Sequence, residues 1–153
     1  MQPEKIEIQE KEILGLSVRT NNDNEQSPVN GKLMKLWGKF FEDDVMSKIP
    51  NQKENSPMFG VYSSYESDFN GDYTVTAGME VSSNDSASEY ESIKIEAGEY
   101  LLFRAKGEMP KIVVDTWKEV WEFFSNNNTE RKFSTDFELY KSQEEVEIYI
   151  AVK

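Results

Sequence analysis

The same half-domain is written twice in this chain, with one position altered. Around Trp37 the sequence reads LMKLWGKFF and continues to MFGVY; around Trp117 it reads VVDTWKEVWEFF and continues to DFELY. Laying Phe59-Gly60-Val61-Tyr62 on Phe137-Glu138-Leu139-Tyr140 matches three positions in character and sets a glycine against a glutamate. A duplication restricts the fold to two copies of one unit meeting at a seam. A carboxylate on one side only points to a site near that seam.

Composition removes whole classes of function. The chain has 153 residues and no cysteine or histidine. That length fits one domain, 1–153, able to bury a core without cross-links. Disulfides, thiolate metal sites and thiol nucleophiles are excluded, as are the commonest metal ligand and the usual general base. With 17 basic and 29 acidic residues the formal charge is −12, so direct nucleic-acid binding, which needs clustered Lys and Arg, is not expected. The start MQPEKIEIQEKEILGL has neither the basic opening nor the apolar run of a signal peptide, and no stretch reaches the roughly 18 apolar residues of a membrane span. A cytoplasmic protein off the membrane is expected. The sequons at Asn84 and Asn127 then carry no meaning. No cofactor is expected.

Apolar periodicity predicts α+β. Residues 4–20 read as a strand pair or one long strand broken near Gly15, and 21–27 as a loop. Ser27-Pro28 has the form of a helix start, followed by an apolar face of Val29, Leu33, Leu36, Trp37, Phe40 and Phe41 that fades near Asp43. Residues 58–65 and 72–81 read as strands around a turn signal at Asn70-Gly71. Asp68, Asn70 and Asp72 imitate the start of a calcium loop, but Tyr73 and Met79 occupy the positions that need glycine and an acid, so a turn is predicted. A polar loop at 82–90 precedes two strands bent at Ala97-Gly98. A second helix opens at Pro110, with Val113, Trp117, Val120, Trp121 and Phe124 on its apolar face, and ends at 126–128. A hairpin then closes the chain from about Thr135 to Val152. Each half, about 1–82 and 90–153, is strand, helix, strand, strand, which predicts one antiparallel sheet with both helices packed on it.

The closing hairpin carries the charge. With its register centred on Gln143-Glu144, Tyr140 pairs with Glu147 and Glu138 with Tyr149. All four then share one face, opposite Phe137, Leu139, Val146, Ile148 and Ile150. A slip of one residue would destroy this arrangement. Two readings stand. The mixed face points to water, as in many antiparallel sheets; or it floors a groove walled by aromatic residues, suited to organic cations. Likewise Trp37 and Trp117 are either core packing or ring faces for a ligand.

The element order and the words TWKEVWEF, DFELY and VEIYIAV resemble the gyrase-inhibitor-like superfamily, also seen as the AraC-type bacterial effector-binding domain. The resemblance covers nearly the whole chain and is clearest from Glu96 to Val152. It implies two βαββ repeats about a pseudo-two-fold axis, one sheet, two helices and a groove between the halves that takes hydrophobic, often cationic, small molecules. Glu138 matches the family's charged anchor and Tyr149 an aromatic pocket position; Tyr140 and Glu147 match pocket-facing positions less closely. Many relatives carry a helix-turn-helix DNA-binding domain, which this sequence does not show, so a stand-alone effector-binding protein is implied, linked to transcriptional regulation or drug response.

The expected function is therefore binding of an amphipathic, cationic small molecule, with Glu138 as anchor, Trp37, Trp117, Tyr140 and Tyr149 as ring faces, and Glu147 as a second acid. Two alternatives stay open. A hydrolase of reactive small molecules would use Glu138 as general base, since some relatives resemble hydrolases. An acidic interaction or inhibitor module would bind a protein partner, such as the topoisomerase that the resemblance implies.

Overall fold

The computed structural model describes residues 3–27, 31–68, 70–83 and 90–153. In chain order the elements are β1 (Glu4–Ile8), β2 (Lys11–Thr20), α1 (Asn22–Glu25), α2 (Leu33–Glu42), α3 (Val45–Lys48), β3 (Met58–Ser63), β4 (Tyr73–Val81), β5 (Glu91–Ile95), β6 (Gly98–Lys106), α4 (Lys111–Ser125), β7 (Asp136–Ser142) and β8 (Glu145–Ala151). The eight strands form one sheet in the order β1-β6-β8-β7-β3-β4-β2-β5, antiparallel at every pair.

That order is two copies of one motif. The strands β2, β3 and β4 with α2 repeat as β6, β7 and β8 with α4, and the copies meet where β3 pairs with β7. The outer strands are exchanged, β1 lying on β6 and β5 on β2. This exchange fixes the shape of the sheet. In a flat sheet β1 and β2 would stand six strand spacings apart, roughly 29 Å. Ile8 and Lys11 are joined by only three Cα steps, at most about 11 Å. The sheet must curl until its two ends meet. Accordingly Ile6, Ile8, Ile93 and Ile95 of the outer strands pack against Phe59, Val61 and Phe137 of the central ones.

The helices sit on the other face. Leu36 and Phe40 of α2 pack on Leu14, Val75 and Met79, and Val120 of α4 packs on Leu101, Phe103, Ile148 and Ile150. The central strands β3 and β7 are left uncovered between the helices as the floor of a groove.

Several expectations are corrected. The break between the first two strands lies at Gln9-Glu10, not near Gly15. Gly15 sits inside β2 opposite Gly78, where a Cβ would meet the Ala77 carbonyl oxygen at 1.9 Å, so glycine there permits close backbone approach. Within 21–27, Asn22–Glu25 forms one helical turn capped by the Asn21 side chain, which accepts from the Asn24 N–H at 2.8 Å. The Pro28 helix start and Val29 lie outside the described residues, and α2 begins at Leu33. On α4, Trp121 turns out of the core and is 46% exposed.

The most consequential correction is in the closing hairpin. Its turn is Gln143-Glu144 as expected, with Ser142 opposite Glu145, but the next pair is Tyr140 with Val146. The extra residue, Lys141, is a bulge, and from there the register differs by one: Glu138 faces Ile148, and Tyr149 faces Phe137. A one-residue shift moves a whole side-chain set to the other face. Glu138 and Tyr140 therefore share the helix side with Val146 and Ile148. Glu147 and Tyr149 lie on the reverse side.

Candidate functional site

The groove between α2 and α4 encloses about 1000 Å³. Trp37 and Phe41 of α2 and Val113 and Trp117 of α4 form its walls, and Met58, Tyr62, Glu138 and Tyr140 belong to its floor. Met34, Phe41, Val114 and Trp121 are large apolar side chains left exposed, and all four line it. Met34 is 86% exposed. Apolar surface of this extent on two facing walls marks a place where something apolar is received.

At the floor stands Glu138, 3% exposed. Three donors hold it. Trp117 Nε1 donates to Oε2 at 2.6 Å, the Tyr62 hydroxyl to the same oxygen at 3.0 Å, and the Tyr140 hydroxyl to Oε1 at 2.7 Å. Among the described residues no Lys or Arg pairs with it, although ion pairs occur elsewhere. Burial raises its pKa above the ordinary 4.5, and the hydrogen bonds from Trp117, Tyr140 and Tyr62 pull the other way. Burial and the adjacent carboxylate push the Tyr62 and Tyr140 phenols well above their usual range, so both remain donors.

The repeat explains why the carboxylate fits. Gly60 is the direct cross-strand partner of Glu138, and it is also the residue that the repeat equates with Glu138. Both facts hold together only if the pseudo-two-fold axis passes between them. A Cβ on Gly60 would lie 2.7 Å from Glu138 Oε1 and 3.2 Å from the Trp37 ring. The glycine is the space into which the single acid reaches. The repeat likewise equates Tyr62 with Tyr140, and both bond Glu138. The walls are exchanged across the axis: Trp37 meets Tyr140 edge-on at 5.3 Å, and Trp117 meets Tyr62 at 5.1 Å.

Of the residues singled out in the sequence, the structure brings Glu138, Trp37, Trp117 and Tyr140 together here. It does not bring Tyr149 or Glu147. Tyr149 stacks on Phe137 at 4.4 Å and donates to Glu147 Oε1 at 2.9 Å. Arg104 Nε donates to the other oxygen of Glu147 at 3.0 Å, with the Lys141 ammonium 3.7 Å away. Sequence reasoning passed over Tyr62, although the repeat itself set it against Tyr140. It also passed over Tyr65, Tyr73 and Arg131, which line the groove and which no local motif marks. Among the described residues no cluster of three or more Asp and Glu is placed to hold a metal ion. No helix among them is long and apolar enough to cross a membrane.

A family model described as a GyrI-like small molecule binding domain matches residues 1–153. The chain is similar to YobU of Bacillus subtilis (strain 168), a protein named as a candidate transcriptional regulator; the two are 30% identical over 151 residues, 94% of this chain and 92% of that protein. Among solved structures it is similar to the integron cassette protein VCH_CASS2 from the mobile metagenome of Vibrio cholerae, with 39% identity, a TM-score of 0.87, and coverage of 99% of this chain and 96% of that one. It shares its fold with SAV2435, solved bound to tetraphenylphosphonium, with 18% identity, a TM-score of 0.83, and coverage of 100% and 94%.

Proposed function

Because the chain belongs to the GyrI-like small-molecule binding domains, we propose that its groove receives a lipophilic organic cation whose charge is met by Glu138. The observation that carries this reading is a buried carboxylate with three donors and, among the described residues, no cation. An isolated buried charge is costly, and a matching charge from a ligand offsets that cost. The ring faces of Trp37, Trp117, Tyr62 and Tyr140 each attract a cation by about 0.5–2 kcal/mol. The groove volume suits a molecule with several rings. SAV2435, of the same fold, is solved with a cation of that kind.

Binding is favoured over hydrolysis by the same contacts. A general base needs a free lone pair at the reacting proton. Three of the four lone-pair positions of Glu138 already accept hydrogen bonds, two on Oε2 and one on Oε1, and these stabilise the ionised form and weaken it as a base. With a formal charge of −12, the occupied groove would inform another protein rather than contact DNA directly.

Calorimetric titration with tetraphenylphosphonium tests the reading. Wild type should bind it, and Glu138→Gln, similar in size but uncharged, should bind far more weakly. Equal affinity in the two proteins would overturn the anchor role.

A further inference from the structure

A second polar group lines the groove that the charge argument does not use. Arg131 is a groove residue, and its side chain is only 7% exposed. Its Nη2 donates to Asp136 Oδ2 at 2.6 Å. Its Nε is buried without any partner, and among the described residues no hydrogen bond engages Nη1. Nε is thus a buried donor with nothing to donate to, in a place where an unmade hydrogen bond costs about 1–3 kcal/mol.

The guanidinium is also fixed in position. It lies over the Phe133 ring at 4.4 Å and near Phe124 at 6.0 Å. Phe133 holds a left-handed backbone, φ 57°, which is unfavourable for a bulky residue and persists only where the surroundings enforce it. Asp136, fully buried, is itself held by the Tyr65 hydroxyl and by the Ala151 N–H at 2.8 Å. Arg131 bridges to Val152 through its backbone. The donors are therefore preorganised.

We propose that Arg131 is a second recognition point, taking an uncharged hydrogen-bond acceptor (a carbonyl, ester or sulfonyl oxygen) carried by the same cation that Glu138 holds. The inference rests on the Glu138 reading. The acceptor is uncharged because Asp136 already balances the guanidinium. A ligand carboxylate would add negative charge to a groove that also contains Glu138 and Glu25. The preferred ligand is then a lipophilic monocation with an oxygen acceptor on one arm, not a bare hydrocarbon cation.

A matched set of probes tests this: tetraphenylphosphonium, and its three analogues carrying a methyl ester at the ortho, meta or para position of one ring. Calorimetry should find at least one ester isomer binding wild type about tenfold more tightly than the parent. In Arg131→Lys, which keeps a charge beside Asp136 but loses the fork of donors, that ratio should fall to about one. The double variant Arg131→Met with Asp136→Asn removes the pair together and gives the same readout if the lysine variant does not fold. Three esters no tighter than the parent in wild type, or an ester advantage that survives both variants, would overturn the proposal. The anchor reading is tested separately by Glu138→Gln: if that variant binds the parent as well as wild type does, the anchor is wrong whatever the ester ratio.

Discussion

The two halves of the groove are built alike and charged differently. Tyr62 and Tyr140 are equivalents, and both donate to one carboxylate. Trp37 and Trp117 stand on corresponding helices, but only Trp117 donates to it. At the axis itself one half supplies Glu138 and the other supplies nothing but room. Two acids facing each other there would repel across a low-dielectric gap, and one would stay protonated. A single acid with an empty partner position can use donors from both halves. Asymmetry at one residue thus turns a symmetric cleft into a site with one charge.

Restoring the symmetry should have the largest effect. Gly60→Glu places a second carboxyl against Glu138, and thermal unfolding should show a loss of about 3 kcal/mol or more at neutral pH. The loss should shrink as pH falls and one acid protonates. A variant as stable as wild type at pH 7 would show that the axis has slack which the Gly60 contacts do not reveal.

Removing the charge comes next. Glu138→Gln should lower tetraphenylphosphonium affinity about 100-fold, a difference of about 2.7 kcal/mol. The same carboxyl sets the pH dependence. Its folded pKa is raised by burial, so relative to Glu138→Gln the ligand-free wild type is most stable below the unfolded pKa of about 4.3 and loses that advantage as pH rises through the folded value. Cation binding needs the ionised form and should strengthen over the same rise. The stability difference between wild type and the glutamine variant, from denaturant unfolding, and the affinity of wild type, from calorimetry, should show opposite trends across the acid range, and the rise in affinity should be absent in the glutamine variant.

The tryptophans sharpen the comparison between the halves. Trp117→Phe deletes a hydrogen bond to Glu138 as well as indole surface, and should cost about tenfold in cation affinity; Trp37→Phe should cost about twofold. Equal losses would mean that the indole N–H contributes nothing to the bound state.

The equivalent tyrosines should each have a small effect, and the two effects should match. Tyr62→Phe and Tyr140→Phe should each weaken binding by about threefold and shift its pH dependence upward, because one donor to the ionised carboxylate is gone. The two should agree within about twofold. A clear inequality would show that the pseudo-symmetry of the clamp is only geometric.

Much of this was legible before any fold was known. The helix around Trp117 and the strands of both halves follow from periodicity, and the repeat located its own exception at Gly60 and Glu138. The bulge at Lys141 was not legible. The turn Gln143-Glu144 carries no glycine or other residue that demands a bulge. The register is expressed on β7: Phe137 packs with Phe59 and Val61 beneath the outer strands, which leaves Glu138 and Tyr140 on the helix side with Val146 and Ile148. The bulge thereby parts Glu138 and Tyr140 from Glu147 and Tyr149, which lie on the reverse face, where Arg104 neutralises the acid. Arg131 was equally invisible, since neither sequence spacing nor periodicity announces that its Nε is left without an acceptor.

The sequence by itself determined the class of fold, the duplication, and the chemistry available: acids and aromatic rings, without thiols or imidazoles. It also placed one carboxylate where the repeat has a gap, because a duplication carries its axis in its own alignment. Only the tertiary structure decided which face each hairpin residue occupies. It also brought Tyr62 into the clamp and enclosed Arg131 with an unused donor. Those outcomes depend on contacts between β3, β7 and the two helices. Such contacts are long-range, and a change of one residue in strand register reverses them.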